Sequence, residues 1–238
     1  YYDLWKTIAP NADLSIIKQY MDMGINTNWQ DYFLKDNAPT WQLDASITGV
    51  SKNTNYFISA SHYDQEGVEP ASGMKRETLR SNIDTKVFDW LRVGVNLGLS
   101  YEDFETNGFA TTGNSWYNVA TLSRWALPWE TPYEIVDDGN GNWHYGDRKD
   151  LLDVLGLWNP YYLLENQPAE KNKIRLYGNM FEELTPVKGL TIRASQALDA
   201  FDYRYRYRML PAQFNNYSGS ASESFQRYSS MTFTNTAE

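Results

Sequence analysis

Leu91-Arg92-Val93-Gly94-Val95-Asn96-Leu97-Gly98-Leu99-Ser100-Tyr101-Glu102 decides the fold. Leu91, Val93, Val95, Leu97, Leu99 and Tyr101 fall on one parity, and Arg92, Gly94, Asn96, Gly98, Ser100 and Glu102 on the other. Side chains of a β-strand alternate between two faces, so this is a strand with one apolar and one polar side. It is about twice the usual strand length of five or six residues. A long strand that is greasy on one side and wet on the other suits a wall between lipid and an aqueous lumen.

Working outward, the same alternation recurs. Trp41, Leu43, Ala45 and Ile47 alternate with Gln42, Asp44, Ser46 and Thr48. A polar turn, Ser51-Lys52-Asn53-Thr54, leads to a strand over about 56–63. Another spans about 76–87, with Leu79, Ile83 and Val87 in phase, and Phe88-Asp89-Trp90 turns it into the opening strand. A later hairpin runs over 173–183, turns through Thr185-Pro186-Val187-Lys188-Gly189 and returns from Leu190. A last strand starts near Phe225. The one good helical candidate lies within 11–35, where Leu14, Ile17, Tyr20 and Met21 share a helical face and Asp13 stands at its start.

The links alternate in length. Those at 51–54, 88–90 and 185–189 are short; those at about 65–74, 105–171 and 209–222 are longer. Such alternation places all short turns at one end of an antiparallel sheet, as in outer-membrane barrels. A Greek-key sandwich mixes its loop lengths more, and a structureless link as long as 105–171 is foreign to a compact soluble domain. After Gly189 the apolar phase is Leu190, Ile192, Ala194; it then switches to Phe201, Tyr203, Tyr205 and Tyr207, opposite Arg204, Arg206 and Arg208. Either a bulge near Asp199–Ala200 or a strand that has left the membrane explains the switch.

Bulk composition agrees. Aromatic residues make up 16%, with 9 Trp and 18 Tyr against 10 Phe. Rings with a polar handle suit membrane interfaces and sugar-binding surfaces. The mean hydropathy is −0.61, and no stretch approaches the roughly 18 apolar residues of a spanning helix. The net charge of −9 argues against nucleic acid as a partner. There is no Cys, which removes disulfides and thiolate metal sites. The first residues carry neither a basic nor an apolar leader segment, and 228–236 is a strand-like run, so a piece of a longer polypeptide is expected.

One family matches an ordered series of these residues. Asn26-Thr27-Asn28-Trp29-Gln30-Asp31, Leu43-Asp44-Ala45-Ser46-Ile47-Thr48-Gly49, Asn55-Tyr56-Phe57-Ile58-Ser59-Ala60 and Asp64-Gln65-Glu66-Gly67 resemble the early barrel of SusC/RagA-type TonB-dependent transporters. Lys75-Arg76, Leu79-Arg80-Ser81-Asn82 and Phe88-Asp89-Trp90-Leu91-Arg92-Val93-Gly94 continue the match, which covers about 26–104. The resemblance implies an all-β fold, part of a large antiparallel transmembrane β-barrel, 22-stranded in the family, with long extracellular loops. It implies TonB-dependent uptake of oligosaccharides or peptides across the bacterial cell outer membrane. The implied partners are a SusD-like surface lipoprotein as lid, the TonB complex through regions outside this chain, and outer-membrane lipid. No cofactor and no enzymatic step are implied. Residues 1–39 form an N-terminal loop and helical segment on this reading, and 40–238 the barrel segment, with the long loop at about 105–171.

Site candidates follow. Trp116, Trp125, Trp129, Tyr133, Trp143 and Trp158 in the long loop are candidate contacts to substrate or lid, because flat rings stack on sugar faces; the alternative is that they form the loop's own small core. Leu79, Ile83, Leu91, Val93, Val95, Leu97 and Leu99 are expected to face lipid. Phe88 and Trp90 fit interface anchors. The Tyr203–Arg208 run reads either as an aromatic girdle with a basic stripe or as a loop-end strand whose arginines pair with local acids. Asp137-Asp138-Gly139-Asn140-Gly141-Asn142 superficially resembles a calcium loop but lacks the downstream bidentate Glu; it reads as a hairpin turn. Carboxylates adjacent in a strand, such as Glu102/Asp103 and Glu182/Glu183, point to opposite faces and make no acid/base pair. His62 and His144, the only histidines, lie far apart, so a metal or triad site is not expected. Two rivals stand beside the transporter: a secreted glycoside hydrolase on a β scaffold, and a soluble carbohydrate-binding module that buries Leu91–Leu99 under a second sheet.

Overall fold

The computed structural model describes residues 2–107, 119–153, 156–211 and 218–238. Four long strands open the sheet: β1 (Thr40–Val50), β2 (Thr54–Gln65), β3 (Met74–Phe88) and β4 (Leu91–Asn107). Two short strands, β5 (Tyr133–Asp137) and β6 (Trp143–Arg148), form a hairpin of their own. The sheet resumes with β7 (Pro168–Val187), β8 (Leu190–Met209) and β9 (Ser220–Ala237). It has seven strands in the order β1-β2-β3-β4-β7-β8-β9, every neighbouring pair antiparallel. β1 and β9 are its open edges among the described residues, so the sheet does not close on itself. β4 runs on to Asn107 and β7 starts at Pro168, which sets the long link at 108–167.

Short turns join β1 to β2, β3 to β4 and β7 to β8 at one end. At Ser51–Thr54 the backbone closes with a 2.8 Å bond from Ser51 N–H to Thr54 C=O. At Val187–Leu190 the φ of +89° at Gly189 requires a glycine. Every longer link leaves from the opposite end.

The β7–β8 ladder continues unbroken from Ala169↔Tyr207 to Leu184↔Ile192, with its one register shift at the turn. There is therefore no bulge near Asp199–Ala200, and the phase switch does not arise from one. The faces alternate without fault while their chemistry exchanges. Phe201, Tyr203, Tyr205 and Tyr207 share the polar face with Ser195 and Asp199, and Arg204, Arg206 and Arg208 continue the face of Ile192 and Leu198. β7 and β8 are 20 residues each, long enough for the chemistry of each face to change between the short-turn end and the long-link end. There the arginines meet acids across the ladder. Arg204 and Arg206 lie 3.1 Å from Glu223, Arg206 3.4 Å and Arg208 2.9 Å from Glu170. The loop-end reading of this run is the one the geometry supports.

The leucine face carries no second layer among the described residues. Leu43, Leu79, Leu97, Met231 and Phe233 are 65, 49, 47, 67 and 68% exposed. A soluble sandwich would bury this face, because so extended an apolar surface is not left in water.

The compact core sits instead at the long-link end, in a cap built from the N-terminal segment and the 119–167 link. Helices are more numerous here than the single one expected. α1 (Tyr2–Ile8), α2 (Ser15–Asp22), α3 (Trp29–Phe33), α4 (Val119–Trp125) and α5 (Pro160–Asn166) all form. Asp13 accepts from Ser15 N–H at 3.0 Å as α2 begins, although Leu14 holds the cap position. Asn28 and Asn159 cap α3 and α5 through their side chains, and Pro160 starts α5 where a missing N–H costs nothing. Trp29 and Phe33 pack with Val119, Leu122 and Leu152; Leu14 and Ile17 pack with Trp129.

Candidate substrate-facing wall and loop cap

The register assigns each strand residue to a face. Leu79↔Leu99, Ile83↔Val95, Val95↔Met180 and Leu99↔Leu176 stack the predicted lipid-facing residues into one band, joined by Leu91, Val93 and Leu97. Phe88 and Trp90 stack at 5.3 Å, both exposed, at its short-turn border. Tyr101 and Trp41 stand at the other border, Trp41 4.7 Å from the His62 ring. His62 in turn lies 3.1 Å from Glu77.

The opposite face is polar and interlocked. Arg92 grips Asp84 with two bonds of 2.8 and 2.6 Å and approaches Glu183 at 3.8 Å; Arg193 reaches Glu183 at 3.0 Å. Arg193 also lies over the Phe181 ring at 3.9 Å. Further along, Arg175 holds Asp199 bidentately at 2.9 and 2.7 Å, and Asn96 donates to Asn179 at 2.9 Å. Two glycines make room for rings. A Cβ on Gly94 would lie 2.1 Å from Phe181, and one on Gly98 2.4 Å from Tyr177. The parity of β4 therefore serves the rings of β7, which lie flat across the wall. Glu102 and Asp103 point to opposite faces, as do Glu182 and Glu183, so neither adjacent pair converges.

The loop candidates divide in the cap. Trp129 is buried against Leu14 and Ile17. Tyr133 packs edge-on to Tyr32 at 5.8 Å. Trp143 meets Tyr145 at 5.4 Å on the β5–β6 hairpin, and Trp158 stacks on Tyr162 at 5.1 Å. Trp125, 61% exposed, presents its ring outward. Trp116 lies outside the described residues. The Asp137–Asn142 segment is a hairpin turn, in which Asp138 accepts from Asn140 and Asn142. No group of three or more His, Asp or Glu gathers as metal ligands among the described residues.

Sequence reasoning missed the buried polar knot of the cap. Tyr20 donates to Asp153 at 2.7 Å, and Lys149 donates to Tyr20 at 3.1 Å and pairs with Asp153. Burial alone would push the Asp153 carboxyl up, but the hydrogen bonds from Lys149 and Tyr20 outweigh it and hold the group below the ordinary carboxylate range. Burial would likewise lower Lys149, and the same two partners raise it. Tyr32, buried among rings, is pushed up to about 12 by desolvation. Tyr20 lies more than a hundred positions from Lys149 and Asp153, so nothing local announces the knot.

No protein-family model matches the chain. The TonB-dependent receptor P26 of Formosa agariphila is 29% identical over 193 residues, 80% of this chain. The TonB-dependent receptor P3 of the same organism is 25% identical over 182 residues, 75% of it. In the solved structure of the RagAB peptide transporter, a chain superposes with a TM-score of 0.72 at 27% identity, covering 89% of this chain. The chain is similar in sequence to TonB-dependent receptors and in fold to the RagAB transporter chain. It spans 18% and 17% of the length of the two receptors and 23% of the RagAB chain. The seven strands thus match a sector of a β-barrel transporter structure.

Proposed function

We propose that this chain forms a sector of an outer-membrane barrel that imports an oligosaccharide or a peptide, driven through TonB, with a SusD-like lipoprotein as lid over the cap. The uncovered leucine face carries the proposal. Ten residue steps from Leu91 to Tyr101 span about 34 Å of strand, and about 24 Å once tilted by about 45°, which matches the apolar band of an outer-membrane barrel. Leu79, Ile83, Leu91, Val93, Val95, Leu97 and Leu99 face lipid in this arrangement, and Phe88 with Trp90 anchor the periplasmic border. The interlocked polar face lines the lumen, and the cap stands on the extracellular side. There Trp125, Trp143 and Trp158, with Tyr133 beside them, are the rings placed to meet substrate or lid. Trp129 serves packing. The work done is binding and gated passage, with no bond made or broken.

The test is fractionation of the full-length protein from its native source. The expected result is recovery in the outer membrane, extraction only by detergent, and faster electrophoretic migration before heating than after. A protein recovered in the soluble fraction would contradict the proposal and favour a secreted sugar-binding module.

A further inference from the structure

The polar face hides a charge imbalance that the whole chain does not share. Over 238 residues the acids outnumber the bases, for a net charge of −9. On the polar face towards the cap the balance is reversed. Arg76 on β3 and Lys171 and Lys173 on β7 have no carboxylate within 4 Å among the described residues, whereas Arg92, Arg175 and Arg193 lower down are each paired with an acid. Glu102 on β4 is the register partner of both Arg76 and Lys173, yet forms no ion pair with either. The three cations rest on rings instead. Arg76 lies 5.1 Å from the centre of Tyr63, Lys171 4.5 Å from Phe104, and Lys173 5.1 Å from Phe201. Phe201 is itself stacked on Tyr228 at 5.3 Å.

A ring holds the alkyl stem and part of the charge of such a side chain, but leaves its N–H donors unsatisfied by any anion. Among the described residues each cation is thus fixed along the wall without an anionic partner. Lys171 and Lys173 are two positions apart, about 6.8 Å, and Arg76 lies two strands away, about 9.6 Å across the sheet. That spacing suits a chain-like ligand with repeated negative groups better than a single small anion.

We infer that this strip recognises a carboxylate- or sulfate-bearing oligomer, so that the imported substrate is anionic. The inference rests on the import reading above and names the substrate class it leaves open. An acidic peptide and an acidic oligosaccharide share the chemistry. The strip attracts either through its summed charge, without a shaped pocket, and the effect is strongest at low salt.

The full-length transporter, purified in detergent, is titrated with two pairs of fluorescent probes: an Asp-Ser repeat peptide against its Asn-Ser counterpart, and an oligogalacturonate against its methyl ester. The expected result at low salt is that at least one anionic probe binds about tenfold or more tighter than its neutral partner, and that added salt removes the advantage. Which pair responds tells peptide from glycan. In the combined variant Arg76→Gln, Lys171→Gln and Lys173→Gln the advantage disappears, while Lys188→Gln at the far turn keeps it. Equal binding within both pairs, binding of no probe, or an advantage that survives the triple variant overturns the inference. Unchanged heat-dependent migration of the triple variant shows that its barrel is intact. The import reading fails separately, if the same preparation does not fractionate with the outer membrane.

Discussion

Gly94 on β4 lies beneath the ring of Phe181 on β7, so closely that a Cβ at Gly94 would sit 2.1 Å from the ring. Phe181 is in turn covered by Arg193 at 3.9 Å and Arg92 at 5.6 Å, both held by Glu183. The glycine, the ring and the ion pairs form one layered unit across three strands of the polar face.

Gly94→Ala has no room without moving Phe181. Overpacking of this kind costs about 1–3 kcal/mol. Urea unfolding of the refolded full-length barrel in detergent is expected to record a loss of that size, and Phe181→Leu in the same background is expected to recover part of it. Additive losses in the double variant would mean that the two residues are not in contact.

Val95 and Asn96 are neighbours on opposite faces. Val95→Arg is expected to destabilise the membrane-inserted barrel by about 2–4 kcal/mol if it lies at the midplane, because a charge there loses its hydration, while Asn96→Arg changes little. Refolding titrations into lipid vesicles measure both. Equal effects at the two positions would remove the distinction between faces.

Phe33 is 1% exposed at the centre of the cap cluster, between Trp29 and Tyr161. Phe33→Ala is expected to cost about 3–5 kcal/mol locally. The consequence is faster proteolysis within 108–167, with the heat-dependent migration of the barrel unchanged. Protection equal to that of the unmodified protein would show that the cap does not fold around this residue.

The Tyr20–Lys149–Asp153 knot makes the cap sensitive to acid and to strong base. Asp153 binds its proton less readily in the folded cap than in an unfolded one. Its contribution is therefore complete above the ordinary carboxylate value of about 3.9 and is lost as pH falls through its own lower value. Lys149 is raised, so its contribution is complete below the ordinary lysine value of about 10.4 and is lost as pH rises through the folded value. Limited proteolysis across pH is expected to find the cap most resistant between these limits. In Asp153→Asn the acid limb should shrink.

Much of the sheet was legible because alternation is a local signal. Leu91 to Tyr101, Trp41 to Ile47 and the turns at 51–54 and 185–189 announce strands and ends without tertiary information. The run from Phe201 to Arg208 misled for a physical reason: parity reports which face a residue occupies, but not what that face meets at a given height. The helices α4 and α5 escaped because seven-residue helices in an aromatic-rich link have little periodicity to detect, and α5 shows itself only through Asn159-Pro160. The cap core joins Trp29 and Phe33 to Leu122 and Leu152, and the unpaired strip joins Arg76 to Lys173. Both depend on β4 pairing with β7 across 60 intervening residues (108–167), a closure no local pattern encodes.

The two faces of β4 are tested most directly by a scan of single cysteines through positions 91–101 of the full-length barrel, in a background free of other cysteines. Each carries a nitroxide label whose collisions with oxygen and with a water-soluble nickel complex are measured in lipid. A strict period of two is expected: Leu91, Val93, Val95, Leu97 and Leu99 favour oxygen, Arg92, Gly94, Asn96 and Gly98 favour nickel, and the contrast is greatest near Val95. Uniform access to nickel, or no alternation, would contradict a wall between lipid and lumen.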